Sequence, residues 1–142
     1  EQDEVVSERR YKTTPNKIRQ MFMYRNPLAH PTIMFRRNII DCGFFYDPRF
    51  KKAEDVEFYL RLYKHGYQFG NVDEFLLKYR VVGDMQKKRK SDNWYYNHKA
   101  RAKNFIVSKP LFSICSWTIS LIYQYMPQQI ISYLYKKENQ TR

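Results

Sequence analysis

The chain has 142 residues, of which 43% are hydrophobic and 18% aromatic; this is enough apolar material for one compact domain or part of a larger one, and only four glycines exclude a low-complexity linker. Its net charge of +12, from 26 Lys and Arg against 14 Asp and Glu, points to an anionic partner: nucleic acid, anionic lipid or a phosphorylated substrate. Cys42 and Cys115 are too few and too far apart for a disulfide framework or a zinc site, and their apolar surroundings read as buried thiols of a reducing compartment.

Residues 1–14 are polar and lack the apolar run of a secretory signal, so a frayed or linker segment is expected there. At Thr13-Thr14-Pro15 a hydroxyl cap and a first-turn proline start a helix. Ile18, Met21, Phe22 and Arg25 follow at helical spacing until Asn26-Pro27 ends it. The apolar run 31–35 reads as a strand. Arg36-Arg37-Asn38 then turns the chain into a short helix over 39–42, with Gly43 as its C-terminal cap.

Residues 44–50 form an aromatic loop bent at Asp47-Pro48. A stronger helix is predicted over 53–65, with Val56, Tyr59, Leu60 and Tyr63 as its buried stripe. Glu57 and Arg61 pair at four residues' spacing, and Gly66 stops the helix. Two extended segments, 67–71 and 74–82, flank Asp73. The fold class expected from this alternation is α/β, mixed α and β.

Beyond Gly83 the character changes. Lys87-Lys88-Arg89-Lys90 is a basic run, and 94–104 is a polar, aromatic and basic helix. No formal charge occurs between Lys109 and Lys136, and Pro110 and Pro127 limit the uninterrupted apolar run to the sixteen residues 111–126. A bilayer span takes ~20, so interfacial helices are preferred, with packing as domain core left open. Residues 128–135 add a second amphipathic piece, with Ile130, Ile131, Leu134 and Tyr135 on its apolar side. The basic run, Lys99, Arg101 and Lys103 precede the tail, and Lys136 and Lys137 follow it. Each such cation near an anionic membrane contributes about 1 kcal/mol; a solvated charge run is the alternative. The organisation expected is 1–14, a frayed or linker segment; 15–83, a mixed helix-and-strand half-domain; 84–109, a basic helical connector; and 110–142, an amphipathic, membrane-associating tail.

Three stretches bear on chemistry: Asn26-Pro-Leu-Ala-His30-Pro31-Thr-Ile-Met-Phe35-Arg36-Arg37; Ala53-Glu54-Asp55-Val-Glu-Phe-Tyr-Leu60-Arg61-Leu62, closed by Gly66; and Asn71-Val-Asp-Glu74-Phe-Leu76-Leu77-Lys-Tyr79-Arg80-Val81. Singly, each has a structural reading. Glu54 and Asp55 oppose the positive end of a helix dipole, His30 is a solvated or hydrogen-bonded histidine, Arg61 satisfies Glu57, and Tyr79 fills a strand core. Their order over residues 17–82 resembles the second half of family 2 glycosyltransferases, inverting enzymes of the GT-A fold.

The resemblance implies that Asp55 is the base, taking the proton from an acceptor hydroxyl as it attacks the anomeric carbon, and that Glu54 orients the acceptor. Arg61 would hold the helix start or a cleft carboxylate. His30 and Arg36 would approach the donor diphosphate, and Tyr79 and Arg80 would complete the substrate-binding set. The family's donor half ends in an Asp-x-Asp that binds a divalent metal, and this chain contains no Asp-x-Asp. Mg2+ or Mn2+ is therefore expected only with a missing N-terminal half, and the fragment alone is expected to be inactive. The partners implied are a nucleotide-sugar donor, a glycan or lipid-linked acceptor of surface-polysaccharide synthesis, and an anionic membrane surface. The location implied is cytoplasmic, peripheral on the inner face of the membrane. An exposed sheet edge would permit a homodimer. Two rivals stand beside this: a basic nucleic-acid-binding module, disfavoured because the aromatics are spread through core helices and no binding motif appears, and a membrane-bound scaffold that has lost catalysis.

Overall fold

A computed structural model describes residues 5, 8–80, 92–127, 129–130 and 133–134. Among them the elements run α1 (Pro15–Phe22), a 3-10 turn (His30–Thr32), α2 (Asn38–Asp41), α3 (Glu54–Lys64), α4 (Asp92–Lys103) and α5 (Pro110–Tyr125). The proline and glycine signals act where expected, whereas Thr14 makes no side-chain capping bond and α1 ends at Phe22, short of Asn26-Pro27. Pro15 opens α1, which buries Ile18, Met21 and Phe22. Gly43 (φ +81) and Gly66 (φ +88) follow α2 and α3 in the left-handed region. At α3 the Gly66 amide donates to the Tyr63 carbonyl and the Tyr67 amide to that of Leu62, both at 3.1 Å. That paired closure needs the positive φ that glycine adopts without a Cβ penalty.

The core is built around α3. Val56, Phe58, Tyr59, Leu60 and Leu62 pack with Ile18, Phe22, Leu28, Ile39, Phe50, Ala53 and Ala100. Each large apolar side chain so buried contributes roughly 1.5–3 kcal/mol. α4 packs on α3, and α5 packs on α4.

The mixed α and β expectation is overturned: the described residues contain helices and irregular segments and no strand. Residues 30–32 coil instead of extending, with the Thr32 amide and hydroxyl both donating to the Ala29 carbonyl at 2.9 Å. The segments 33–36 and 67–80 carry no ladder. A strand exists only when a neighbour accepts and donates along its length, and no described segment offers one. Asn71 anchors the second segment through its side chain, donating to the carbonyls of Lys12 at 2.7 Å and Pro27 at 3.1 Å. The expected GT-A sheet is thus corrected, and with it the sheet edge on which a homodimer was to form. Residues 81–83 of the expected second extended segment and half-domain, and the basic run Lys87–Lys90, lie outside the described residues.

The tail departs from expectation in its orientation. α5 turns Ser113, Ser116 and Ser120 inward. Ser113 Oγ accepts from the Ile106 amide at 2.9 Å and donates to its carbonyl at 3.3 Å. Ser116 Oγ donates to the Phe22 carbonyl at 3.4 Å, and Ser120 Oγ lies 3.1 Å from His98 Nδ1. Trp94 of α4 stacks on Tyr123 of α5 at 4.8 Å. Because serines fill the contact, Cys115 is left outside; Cys42, at the end of α2, is exposed as well, correcting the buried-thiol reading. Arg101 is buried and donates to the Phe22 carbonyl at 3.2 Å. It is therefore not part of a free basic surface. No helix among the described residues is long and apolar enough to cross a membrane.

Candidate functional site

The first turn of α3 carries Glu54, Asp55 and Glu57, acids placed where the helix dipole favours negative charge. The helix is entered through Ala53 at φ 54, ψ 27, a left-handed conformation uncommon for a residue with a Cβ. Asp55 Oδ1 accepts the Val56 amide at 2.8 Å, and Oδ2 accepts the Asn26 side-chain amide at 2.7 Å. Asn26 is itself fixed, its Oδ1 accepting the Leu28 amide at 3.1 Å. Two neutral donors thus orient a half-buried carboxyl group.

Beside it runs a chain of hydrogen bonds. His30 Nδ1 lies 2.8 Å from the Tyr59 hydroxyl, and Tyr59 is hydrogen-bonded to Tyr46. His30 and Tyr46 also meet edge to face at 5.8 Å, and Tyr46 packs on Phe58 at 4.6 Å. Burial raises the pKa of both phenols and so disfavours their ionisation. For Tyr59, Tyr46 and the charges of Asp55 and Glu54 push further upward; for Tyr46, the bond to Tyr59 pulls down and the two carboxylates push up. Both phenols therefore stay neutral hydroxyls beside the carboxylate pair, able to donate or accept.

A second polar cluster holds the helix from behind. Glu57 is fully buried, and its carboxylate meets Arg61 at 3.1 Å and Lys103 at 2.7 Å. Asn104 adds a contact at 3.4 Å. Arg61 also donates to the Phe45 carbonyl, tying the aromatic loop to α3. Asp47 of that loop meets Arg49 at 2.8 Å and Lys103 at 2.6 Å. Bonds from Arg49, then from Lys103, hold the Asp47 carboxyl well below the usual carboxylate range against the upward pull of burial. Lys103 is accordingly engaged with two carboxylates, which corrects its assignment to a membrane-facing basic set.

The structure therefore gathers Glu54, Asp55 and, through Tyr59, His30. It turns Arg61 toward Glu57 and Phe45. Arg36 lies exposed in 33–36, and Tyr79 and Arg80 lie exposed in 67–80. Among the described residues no hydrogen bond or ring contact joins Tyr79 to the Asp55 group. Sequence reasoning missed three members: Asn26, taken as a helix stop; Tyr59, taken as core; and Tyr46, passed over in its loop. The spacing of Asp55 and Tyr59, one helical turn apart, was the available signal. A cleft of about 200 Å³ lies between α1 and the end of α3, lined by residues including Arg19, Tyr63, Tyr67 and Lys109; Asp55 is not part of its lining. Among the described residues no three His, Cys, Asp or Glu side chains converge as a metal site would require.

No family model matches the chain, and no solved structure matches it. It is similar to the amylovoran biosynthesis glycosyltransferase AmsE of Erwinia amylovora, 28% identical over 132 residues, covering 87% of this chain and 47% of that protein. It is similar also to the O-antigen biosynthesis glycosyltransferase WbnJ of Escherichia coli, 32% identical over 88 residues, covering 57% of this chain and 32% of that protein. The uncharacterized glycosyltransferase MJ1057 of Methanocaldococcus jannaschii is 31% identical over 65 residues, covering 46% of this chain and 22% of that protein. The chain spans less than half the length of each of these relatives. All three relatives are named as glycosyltransferases.

Proposed function

We propose that the chain is the acceptor-side part of an inverting, nucleotide-sugar-dependent glycosyltransferase of family 2, acting in surface-polysaccharide synthesis. The observation that carries this reading is the Asp55 carboxylate, held half-buried by Asn26 and the Val56 amide next to the His30–Tyr59–Tyr46 chain. The names of the relatives support it. In the proposed step an acceptor hydroxyl oxygen attacks the anomeric carbon and gives its proton to Asp55. The bond from that carbon to the nucleoside diphosphate breaks, the diphosphate leaves with the electron pair, and the configuration inverts. Glu54 and the neutral Tyr46 hydroxyl orient the acceptor, and Arg61 is a positioning residue acting through Glu57 and the Phe45 carbonyl. Arg36, Tyr79 and Arg80 are assigned to contacts made with substrate in the complete protein.

Among the described residues no three potential metal ligands converge; the divalent cation belongs with a nucleotide-binding part of the full protein. The acceptor is a glycan or lipid-linked glycan, met at the inner face of the cell membrane.

The test is Asp55→Asn in the complete protein. Asparagine keeps the shape and cannot accept the proton, so kcat should fall about 10²–10⁴-fold with KM for the donor little changed and the circular dichroism spectrum preserved. Near-normal turnover would remove Asp55 as the base.

A further inference from the structure

α5 is assembled inside out. Its buried side is made by Ser113, Ser116 and Ser120, which meet the Ile106 backbone, the Phe22 carbonyl and His98 of α4 respectively, while at 100° per residue Leu111, Ile114, Cys115, Thr118, Ile122 and Tyr125 line the opposite side. All six are exposed, Leu111 by 78% and Tyr125 by 76%. The Thr118 hydroxyl donates to the Ile114 carbonyl at 2.8 Å, so its one hydrogen is spent within the helix. The outward stripe therefore presents no charge, and its polar groups are the Thr118 hydroxyl, already bonded to the helix, the Cys115 thiol and the Tyr125 phenol at its end. A water-facing helix carries its polar side outward; helices in apolar surroundings pack through small residues and turn large apolar ones out. α5 follows the second pattern.

We propose that this face docks on an anionic lipid bilayer, with α5 lying in the plane of the interface. Its sixteen residues reach about 24 Å, short of the ~30 Å hydrocarbon core, so it lies along the surface. Trp117 and Tyr125 supply the amphipathic rings suited to the headgroup boundary. Ile130, Tyr133 and Leu134, just beyond, are exposed in the same way. Charge selects the occupant. The sequence holds no Asp, Glu, Lys or Arg from 110 to 135, is bracketed by Lys109 and by Lys136-Lys137, and carries +12 overall. Cations at both ends of an uncharged apolar stretch match a layer of anionic headgroups over acyl chains. An apolar groove on a protein, or a second copy of this strongly cationic chain, would give them no counter-charge. The proposal deepens the membrane-face location given above and stands apart from the chemistry of Asp55.

The experiment is co-sedimentation with vesicles of phosphatidylcholine alone and of phosphatidylcholine with phosphatidylglycerol. The protein should sediment with the anionic vesicles and much less with the neutral ones, and added salt should weaken the association. Ile114→Asn with Ile122→Asn, both outward and so compatible with folding, should lower the vesicle affinity by about tenfold or more. In a Trp94→Phe background, brominated acyl chains should quench Trp117. The proposal is overturned by absence of binding to anionic vesicles, by binding that the double variant leaves unchanged, or by a dimer that depends on Ile114 and Ile122 in a protein that ignores vesicles. Vesicle binding that survives Asp55→Asn, whatever happens to turnover, separates this surface from the glycosyl-transfer reading.

Discussion

Replacing Lys103 by methionine keeps the aliphatic stem and removes the one ammonium shared by Asp47 and Glu57, at 2.6 and 2.7 Å. Breaking a buried ion pair costs about 3–5 kcal/mol, because a charge is left uncompensated away from water. Here the loss is smaller. Glu57, fully buried, still meets Arg61 at 3.1 Å, Asp47 still meets Arg49 at 2.8 Å, and Lys103 is itself one-third exposed. We expect about 2–3 kcal/mol, at or below the lower edge of that range. Changing Glu57 to glutamine removes the buried charge that Lys103 compensates, so the double variant should be less destabilised than the two singles added together, by about 1–3 kcal/mol. Urea unfolding at neutral pH measures both quantities, read from a midpoint that moves at constant slope. A Lys103→Met variant within about 0.5 kcal/mol of the parent, or strictly additive single effects, would refute the claim that this network clamps α3 to α4.

The same network sets the acid limb. The folded Asp47 carboxyl is depressed by Arg49 and Lys103, below its unfolded value of about 3.9. Its contribution is therefore complete above roughly pH 4 and is lost as pH falls toward the folded value, because the unfolded state then binds the proton first; Asp47→Asn should flatten stability against pH below about 4, as followed by thermal unfolding across an acid series. The inside-out helix makes an opposite pair of expectations. Ser116→Leu, forced into the contact where the hydroxyl meets the Phe22 carbonyl, should destabilise by about 1–3 kcal/mol. Leu111→Ser, on the outward face, should change stability by less than about 0.5 kcal/mol; a reversal of that order in thermal unfolding would show that α5 is turned the other way.

Much of the helical skeleton is legible along the chain because its determinants are local. Pro15 opens α1, Gly43 and Gly66 close α2 and α3, and the Glu57–Arg61 pair lies one turn apart. Each acts within a few residues, so neighbouring letters are enough to specify it. Of the candidate site, the placing of Glu54 and Asp55 in the first turn of α3 is local in the same sense, and their acidity at a helix start marks the place.

What holds Asp55 is not local. Its partner Asn26 is 29 residues away, as is His30 from Tyr59, and no pattern in either stretch reports that the two meet. Residues 31–35 show the same limit: an apolar run states only that burial is favourable, whereas a strand also requires a neighbour to complete its hydrogen bonds, and none is present among the described residues. The serines of α5 and the cations of α4 were decided by what the fold set opposite them. Thus the sequence alone determined the helices, the boundaries set by Pro15, Gly43 and Gly66, and the acidic helix tip, since these depend on backbone preferences within a turn or two. Only the tertiary structure determined that Ser113, Ser116 and Ser120 face inward, that Arg101 and Lys103 are occupied, and that Asn26 grips Asp55, because the energy of a polar group depends on which distant group replaces its water.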